Sequence, residues 1–160
     1  MLGEYSSAVS RGAEGLTVSL ARDGAVWTDD RRTGIRVEKK VLLKADGSWE
    51  AVYRVSNSGH EKTGSLWFAP ELVFSFSNPS VCPEGERRDV SGLRFEDPVW
   101  GAVELEFSEP VLLWAFNLDT VSRSEEGIEK TYQGSVLAPG VKKVLQPGEA
   151  FEFTVKARPA

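Results

Sequence analysis

WAFNLDTVSRSEEGIEKTYQGSVLAP, residues 114–139, is the stretch around which the rest of the chain is read. An almost unbroken apolar run, Val111 to Phe116, leads into it. The polar block DTVSRSEEG, Asp119 to Gly127, fills its middle. A second strand-like run, Ile128 to Leu137, leads out. Dense polar blocks seldom separate two buried strands unless they form a tight turn or a site. The run Val111–Phe116 is apolar on both strand parities, so its strand is expected to be central, with both faces covered. The polar block is then expected to emerge as a loop at one end of the fold. A carboxylate buried alone is costly, and Arg123, the only cation between Asp119 and Glu129, is its expected partner. Glu129, Thr131 and Gln133 share a parity and should line a polar face, with Tyr132 turned away. Ser122-x-x-Glu125 fits a capping box, but Gly127 follows at once, so it reads as a loop device.

Outward from this stretch the pattern is β throughout. Residues 1–14 show no periodicity and read as a tail or linker, with the domain proper at 15–158. Leu16–Leu20 and Ala25–Thr28 flank Arg22-Asp23-Gly24, a hairpin signal. Asp29–Thr33 reads as a charged loop. Ile35, Val37, Val41 and Leu43 share a parity. Asp46-Gly47 turns the chain into Trp49, Ala51, Tyr53 and Val55, a second hairpin with one apolar face. Leu66–Phe76 alternates around Pro70, which marks an edge or bulge. Asn78–Asp89 reads as a long polar loop and Leu93–Phe95 as a short strand. Val103, Leu105 and Phe107 alternate with Glu104, Glu106 and Ser108. Val136, Val141 and Val144 continue the β pattern. Phe151, Phe153 and Val155 close the chain after the turn Gln146–Glu149. About ten short strands with Gly/Pro turns, and no capped 3.6-residue period, predict an all-β antiparallel sandwich.

Composition excludes several classes. The chain has 160 residues, enough for one domain with a core, and 41% apolar residues argue against disorder. A net charge of −5 speaks against nucleic acid. No apolar run reaches the ~20 residues of a membrane span, and no signal peptide is visible, so a cytoplasmic location is expected. Scarce Asn and Gln beside plentiful Glu, Arg and Lys lean towards a thermophilic source.

The chemistry-bearing residues are few. His60, the only histidine, sits in the turn-like Asn57-Ser58-Gly59-His60-Glu61, with no motif around it. Ser-His-Asp or Cys-His catalysis would need that same residue. Cys82, with no second cysteine and no nearby histidine, offers no zinc site. Asp119, Glu125, Glu126 and Glu129 could hold a hard cation, but match no calcium-loop spacing. Glu71 and Glu129 could act as paired carboxylates only if the fold brought them together. No cofactor is implied. Five tryptophans are many for this length. Trp27, Trp49 and Trp114 fall on core parities. Trp67, which shares a parity with Glu71, and Trp100 are less committed and could stack on sugar rings. The candidate contact set for a carbohydrate or a neighbouring domain is therefore Trp67, Glu71, Trp100, Ser122, Arg123, Ser124, Glu125, Glu129 and Gln133.

TVSRSEEGIEKTYQG, followed by LAP and LQPGEAFEF, resembles the C-terminal β-sandwich domain of the family 57 α-amylases and 4-α-glucanotransferases. GIRVEKKVLL, WEAVYRVSN and LWFAPELVFSF are similar to that family's early strands. The resemblance spans Gly34 to Ala157. It implies a mutarotase-like sandwich, shortened relative to the family domain. It also implies an accessory, non-catalytic role: packing on a catalytic barrel domain and touching α-glucan. Family catalysis belongs to barrel carboxylates that this chain does not contain. Two alternatives stay open: a sugar-acting enzyme of mutarotase type using the concave face of the sandwich, and a purely structural interaction module.

Overall fold

The computed structural model describes residues 4–28, 30–124 (at Ser124 the backbone alone) and 127–160. Ten strands run in chain order: β1 (Ser6–Arg11), β2 (Leu16–Thr28), β3 (Arg31–Leu43), β4 (Trp49–Asn57), β5 (Leu66–Phe68), β6 (Leu72–Phe74), β7 (Gly85–Asp97), β8 (Gly101–Ser124), β9 (Gly127–Lys143) and β10 (Ala150–Pro159). One 3-10 turn, Pro79–Val81, is added. All pairings are antiparallel, in the order β1-β2-β3-β4-β10-β8-β9-β5, with β6 on β9 and β7 on β8.

β8 makes two leaves out of this one sheet. Val103–Phe107 pair with β10. From Leu112 onward the same edge pairs with β9. Glu109-Pro110 lies where the partner changes; proline cannot donate to a ladder. β7 follows β8 round the bend along the other edge. It shifts register between Arg87, Val90 and Gly92, with Asp89 in the left-handed region at φ 56°. Bulges of this kind bend and re-aim a strand. The first leaf is thus β1–β4, β10 and the start of β8; the second is the rest of β8 with β9, β5 and β6.

The core lies between the leaves. Ala51, Tyr53, Phe107 and Phe153 point in from the first; Leu72, Val111, Leu113 and Leu137 meet them from the second. Each set is one parity of its strand, as a half-buried strand requires. Phe153 is fully buried, edge-on to Phe68 and stacked near Phe107. Below it Asn57, also buried, donates to the carbonyls of Glu61 and Leu145 and accepts from the Gly59 amide. That pins the connection carrying His60, whose side chain is exposed.

Several local expectations are overturned. Arg22-Asp23-Gly24 does not turn: β2 continues through it, paired to β3 with Asp23 opposite Arg36. Both Asp23 oxygens accept from Arg36 Nη1, at 3.1 and 2.9 Å. The Asp-Gly signal is local, and thirteen residues of register outweigh it. Residues 6–11, expected within a tail, form β1 on β2. Arg31–Thr33, expected in a charged loop, belong to β3, and the 78–89 loop ends at Gly85, where β7 begins. Leu93–Phe95 is the interior of β7 rather than a separate strand. Trp27 is 69% exposed, not core. It stands on the outer parity of β2, opposite Arg32, while its neighbour Val26 takes the inner parity and packs on Ile35, Val55, Leu66 and Leu145.

Phe153→Ala removes an aromatic ring from the centre of the core and is expected to cost about 3–5 kcal/mol. Urea melts with an unchanged slope would show this. A loss under about 1 kcal/mol would mean that the leaves are not packed on this ring.

Candidate functional site

β8 carries more apolar residues than one core can take. Val111, Leu113 and Ala115 fill the inner parity and are buried. The other parity, Leu112, Trp114, Phe116 and Leu118, faces outward. Both faces of this run were expected to be covered; instead Trp114, Phe116 and Leu118 are 42%, 40% and 39% exposed. Only one side of a leaf can face the core, and nothing among the described residues is layered on the other. Val73 of β6, paired with Val136 and exposed, extends the same surface.

Trp67 completes it. Its indole lies over Gly140, where a Cβ would fall within 2.2 Å of the ring, so only glycine admits it. It stacks on Trp114 with centroids 5.2 Å apart and planes 29° from parallel. Lys142 Nζ stands 5.5 Å above it. Trp67 Nε1 is buried without a partner among the described residues. Trp114 Nε1 donates to Glu86 at 3.1 Å, and Arg88 grips the other oxygen of that carboxylate. These two bonds, that of Trp114 foremost, hold the Glu86 carboxyl below its ordinary pKa. The indole pair is thereby fixed in orientation.

Beyond Leu118 the described part of the polar block is a strand pair, not a loop. β8 and β9 run on as a hairpin arm, Ser122 opposite Glu129 and Thr120 opposite Thr131. Gln133 is the extra residue where the register shifts between Leu118 and Asp119. Its Nε2 donates to Thr120 Oγ1 and to the Thr131 carbonyl. Thr120 and Ser122 keep the parity of Trp114, so apolar surface grades into polar along one face. The opposite parity anchors the arm. Buried Ser135 bonds to Tyr132 Oη at 2.8 Å and donates to Asn117 Oδ1 at 3.1 Å. The partner of Asp119 is Lys130, at 2.6 Å, rather than Arg123; the ion pair raises the lysine pKa.

The structure thus puts Trp67, Ser122, Glu129 and Gln133 on or beside one surface. Arg123 falls on the other face of the arm, opposite Ile128. Glu71 lies exposed between β5 and β6 and shares no strand with Trp67. The Ser124 side chain, Glu125 and Glu126 lie outside what is described. Trp100, 74% exposed, sits in the turn before β8, at the opposite end of that strand from the arm. Buried Asp97 braces this turn, accepting from the Ser77, Val99 and Trp100 amides at 2.6, 2.8 and 3.1 Å. Burial pushes the Asp97 pKa up, but those amides outweigh it and hold the pKa at about 2. Cys82 is buried, which pushes its thiol pKa up. Sequence reasoning missed Trp114, Phe116 and Val73, having given Trp114 to the core. The signal was there: an apolar run on both parities implies either a doubly covered strand or an exposed apolar face.

A family model described as "Alpha-amylase/4-alpha-glucanotransferase, C-terminal" matches residues 3–155. The chain belongs to this family. Within it, the 4-alpha-glucanotransferase of Thermococcus litoralis is 32% identical over 145 residues, 88% of this chain but 20% of that enzyme. The crystal structure of 4-alpha-glucanotransferase from Thermococcus litoralis superposes with a TM-score of 0.72 at 28% identity, covering 96% of this chain and 22% of the other. The chain therefore spans about a fifth of the length of this relative. Its match is to the alpha-amylase/4-alpha-glucanotransferase C-terminal family by sequence and by fold together. Among the described residues no helix is long and apolar enough to cross a membrane.

Two outcomes are expected of this geometry. Ser135→Ala leaves Asn117 and Tyr132 without their shared partner and should cost about 1–3 kcal/mol, read as a shifted urea midpoint. For Asp97 the folded pKa lies below the ordinary 3.8. Its stabilisation is therefore complete above about pH 4 and is lost as pH falls towards 2. Urea midpoints between pH 5 and 2 should fall less steeply for Asp97→Asn than for the parent. Equal slopes would remove Asp97 as the brace.

Proposed function

We propose that this sandwich is a non-catalytic accessory domain, one that packs on the catalytic domain of an amylase- or glucanotransferase-type enzyme through the outer face of its second leaf. The single observation behind this is the exposed strip of Val73, Trp114, Phe116 and Leu118, with half-buried Trp67 stacked on Trp114. Contiguous apolar surface of this kind marks contact sites, and tryptophan is the residue most enriched where binding energy concentrates. Family membership supplies the partner: the relative named above carries about four-fifths of its length outside the matched region. The polar side chains further along the same face, Thr120, Ser122, Glu129 and Gln133, are suited to α-glucan hydroxyls at the border of such a contact. Sugar sites combine aromatic platforms with a few placed polar groups. The reading as a mutarotase-type enzyme draws little from the fold, since His60 is exposed on a connection pinned by Asn57.

The test is calorimetric titration of the chain into a 4-alpha-glucanotransferase from which the matched C-terminal region has been deleted. Binding is expected, and Trp114→Glu should weaken it by at least about tenfold; Val73→Glu, which breaks neither the Trp67 stack nor the Glu86 bond, should weaken it too while leaving stability within about 0.5 kcal/mol of the parent. Unchanged affinity would remove this face as the contact. Maltoheptaose should shift amide resonances of the β8–β9 arm; shifts confined to other strands would end the glucan part of the reading.

A further inference from the structure

β1 is the outermost strand of the first leaf. It pairs with β2, and among the described residues nothing lies on its other edge. All six of its residues are exposed. An open edge is a template for another strand, and proteins blunt such edges with short strands, proline, bulges or charge. The edges formed by β5, β6 and β7 are blunted, and the open edges of the β8–β9 arm carry charge, Asp119 and Arg123 on β8 and Glu129 and Lys130 on β9. β5 and β6 have three residues each, with Pro70 between them. β7 is broken by its register shifts and carries Arg87, Arg88 and Arg94. β1, Ser-Ser-Ala-Val-Ser-Arg, has no proline and no carboxylate, its register is unbroken, and its one charge is at its last residue. In a chain of net charge −5, two copies can meet along this edge without opposing carboxylates.

One cross-strand row adds a reason to choose a second copy. Val9, Val18, Val41, Ala51, Val155 and Phe107 stand side by side from β1 through β2, β3, β4 and β10 to β8. Cross-strand neighbours are the unit of sheet stabilisation. The row starts buried at Phe107 and ends at Val9, 65% exposed. We propose that β1 pairs antiparallel with β1 of a second copy about a two-fold axis normal to the sheet, Val9 against Val9. Such an axis keeps like faces on one side, so paired residues must share parity. Centring on Val9 continues the apolar row into the partner. It sets Ala8 opposite Ser10 and Ser7 opposite Arg11, and keeps the two Arg11 side chains apart. The interface is isologous and closes at two copies. Six residues per copy cover less than the roughly 800 Å² per partner of a standard interface, so association is expected to be weak and concentration-dependent.

This inference does not depend on the accessory-domain reading, and the experiment uses the chain alone. Sedimentation over a wide concentration range should show a monomer–dimer equilibrium, and Val9→Lys should weaken it at least about tenfold. Val9→Cys, treated with a short bis-maleimide, should give a covalent dimer; Ser75→Cys, exposed elsewhere, should not. Cys82 is buried and serves as an internal control. A chain that stays monomeric throughout, a dimer that survives Val9→Lys, or equal cross-linking from Val9→Cys and Ser75→Cys would each overturn the pairing.

Discussion

A strand in a two-layer sandwich can bury only one of its parities, and β8 has two apolar ones. Much of the molecule follows from this mismatch. The inner parity, Val111, Leu113 and Ala115, joins the two leaves into one core. The outer parity is left in water with Trp114, Phe116 and Leu118 on it. Burying a large apolar side chain is worth about 1.5–3 kcal/mol, so an exposed row of three is surface that a partner can exploit. Trp67, laid over Gly140 and stacked on Trp114, keeps the row rigid, and rigid aromatics lose little freedom on binding.

The bend in β8 determines what else the strand can do. Because its two halves pair with different strands, its first half stabilises the sheet that carries β1 to β4. Its second half runs out into the arm. The ion pair of Lys143 with Glu109, 2.7 Å, sits at that bend and ties β9 to it. The base of the arm is closed by the part-buried Tyr132–Ser135–Asn117 network. Beyond that network Ile128 is 81% exposed and the pairing is held by the ladder, the Asp119–Lys130 pair and the Thr120–Gln133 bonds.

The class of fold was legible because strand alternation is a period-two signal that needs no partner to be read. Val103-Leu105-Phe107 and Phe151-Phe153-Val155 each keep their predicted inner face, and the Asp46-Gly47 turn joins β3 to β4 as expected. Less legible was anything that depends on what lies across the sheet. Asp23-Gly24 reads as a turn until Arg36 is known to stand opposite. Trp27 reads as core until β2 is known to turn the parity of Val18 and Val26 inward. Residues 6–11 have no periodicity because both their faces are exposed, and a solvated edge strand leaves no hydrophobic imprint. The candidate site was half visible for the same reason. Ser122, Glu129 and Gln133 were found from their chemistry, whereas Trp114 and Phe116 were hidden in a run that looked like core. Arg123 was assigned to an acid by proximity in sequence, yet in the folded hairpin the neighbour of Asp119 comes from the facing strand.

Side-chain oxidation footprinting tests the central claim most directly, because the tryptophans report on separate surfaces. In the isolated chain, Trp114 should oxidise readily alongside Trp27 and Trp100. Bound to, or fused with, a glucanotransferase catalytic portion, Trp114 and Phe116 should become protected while Trp27 stays reactive. Trp114 reacting equally fast in both states would contradict the assignment of this face as the one that meets the catalytic domain.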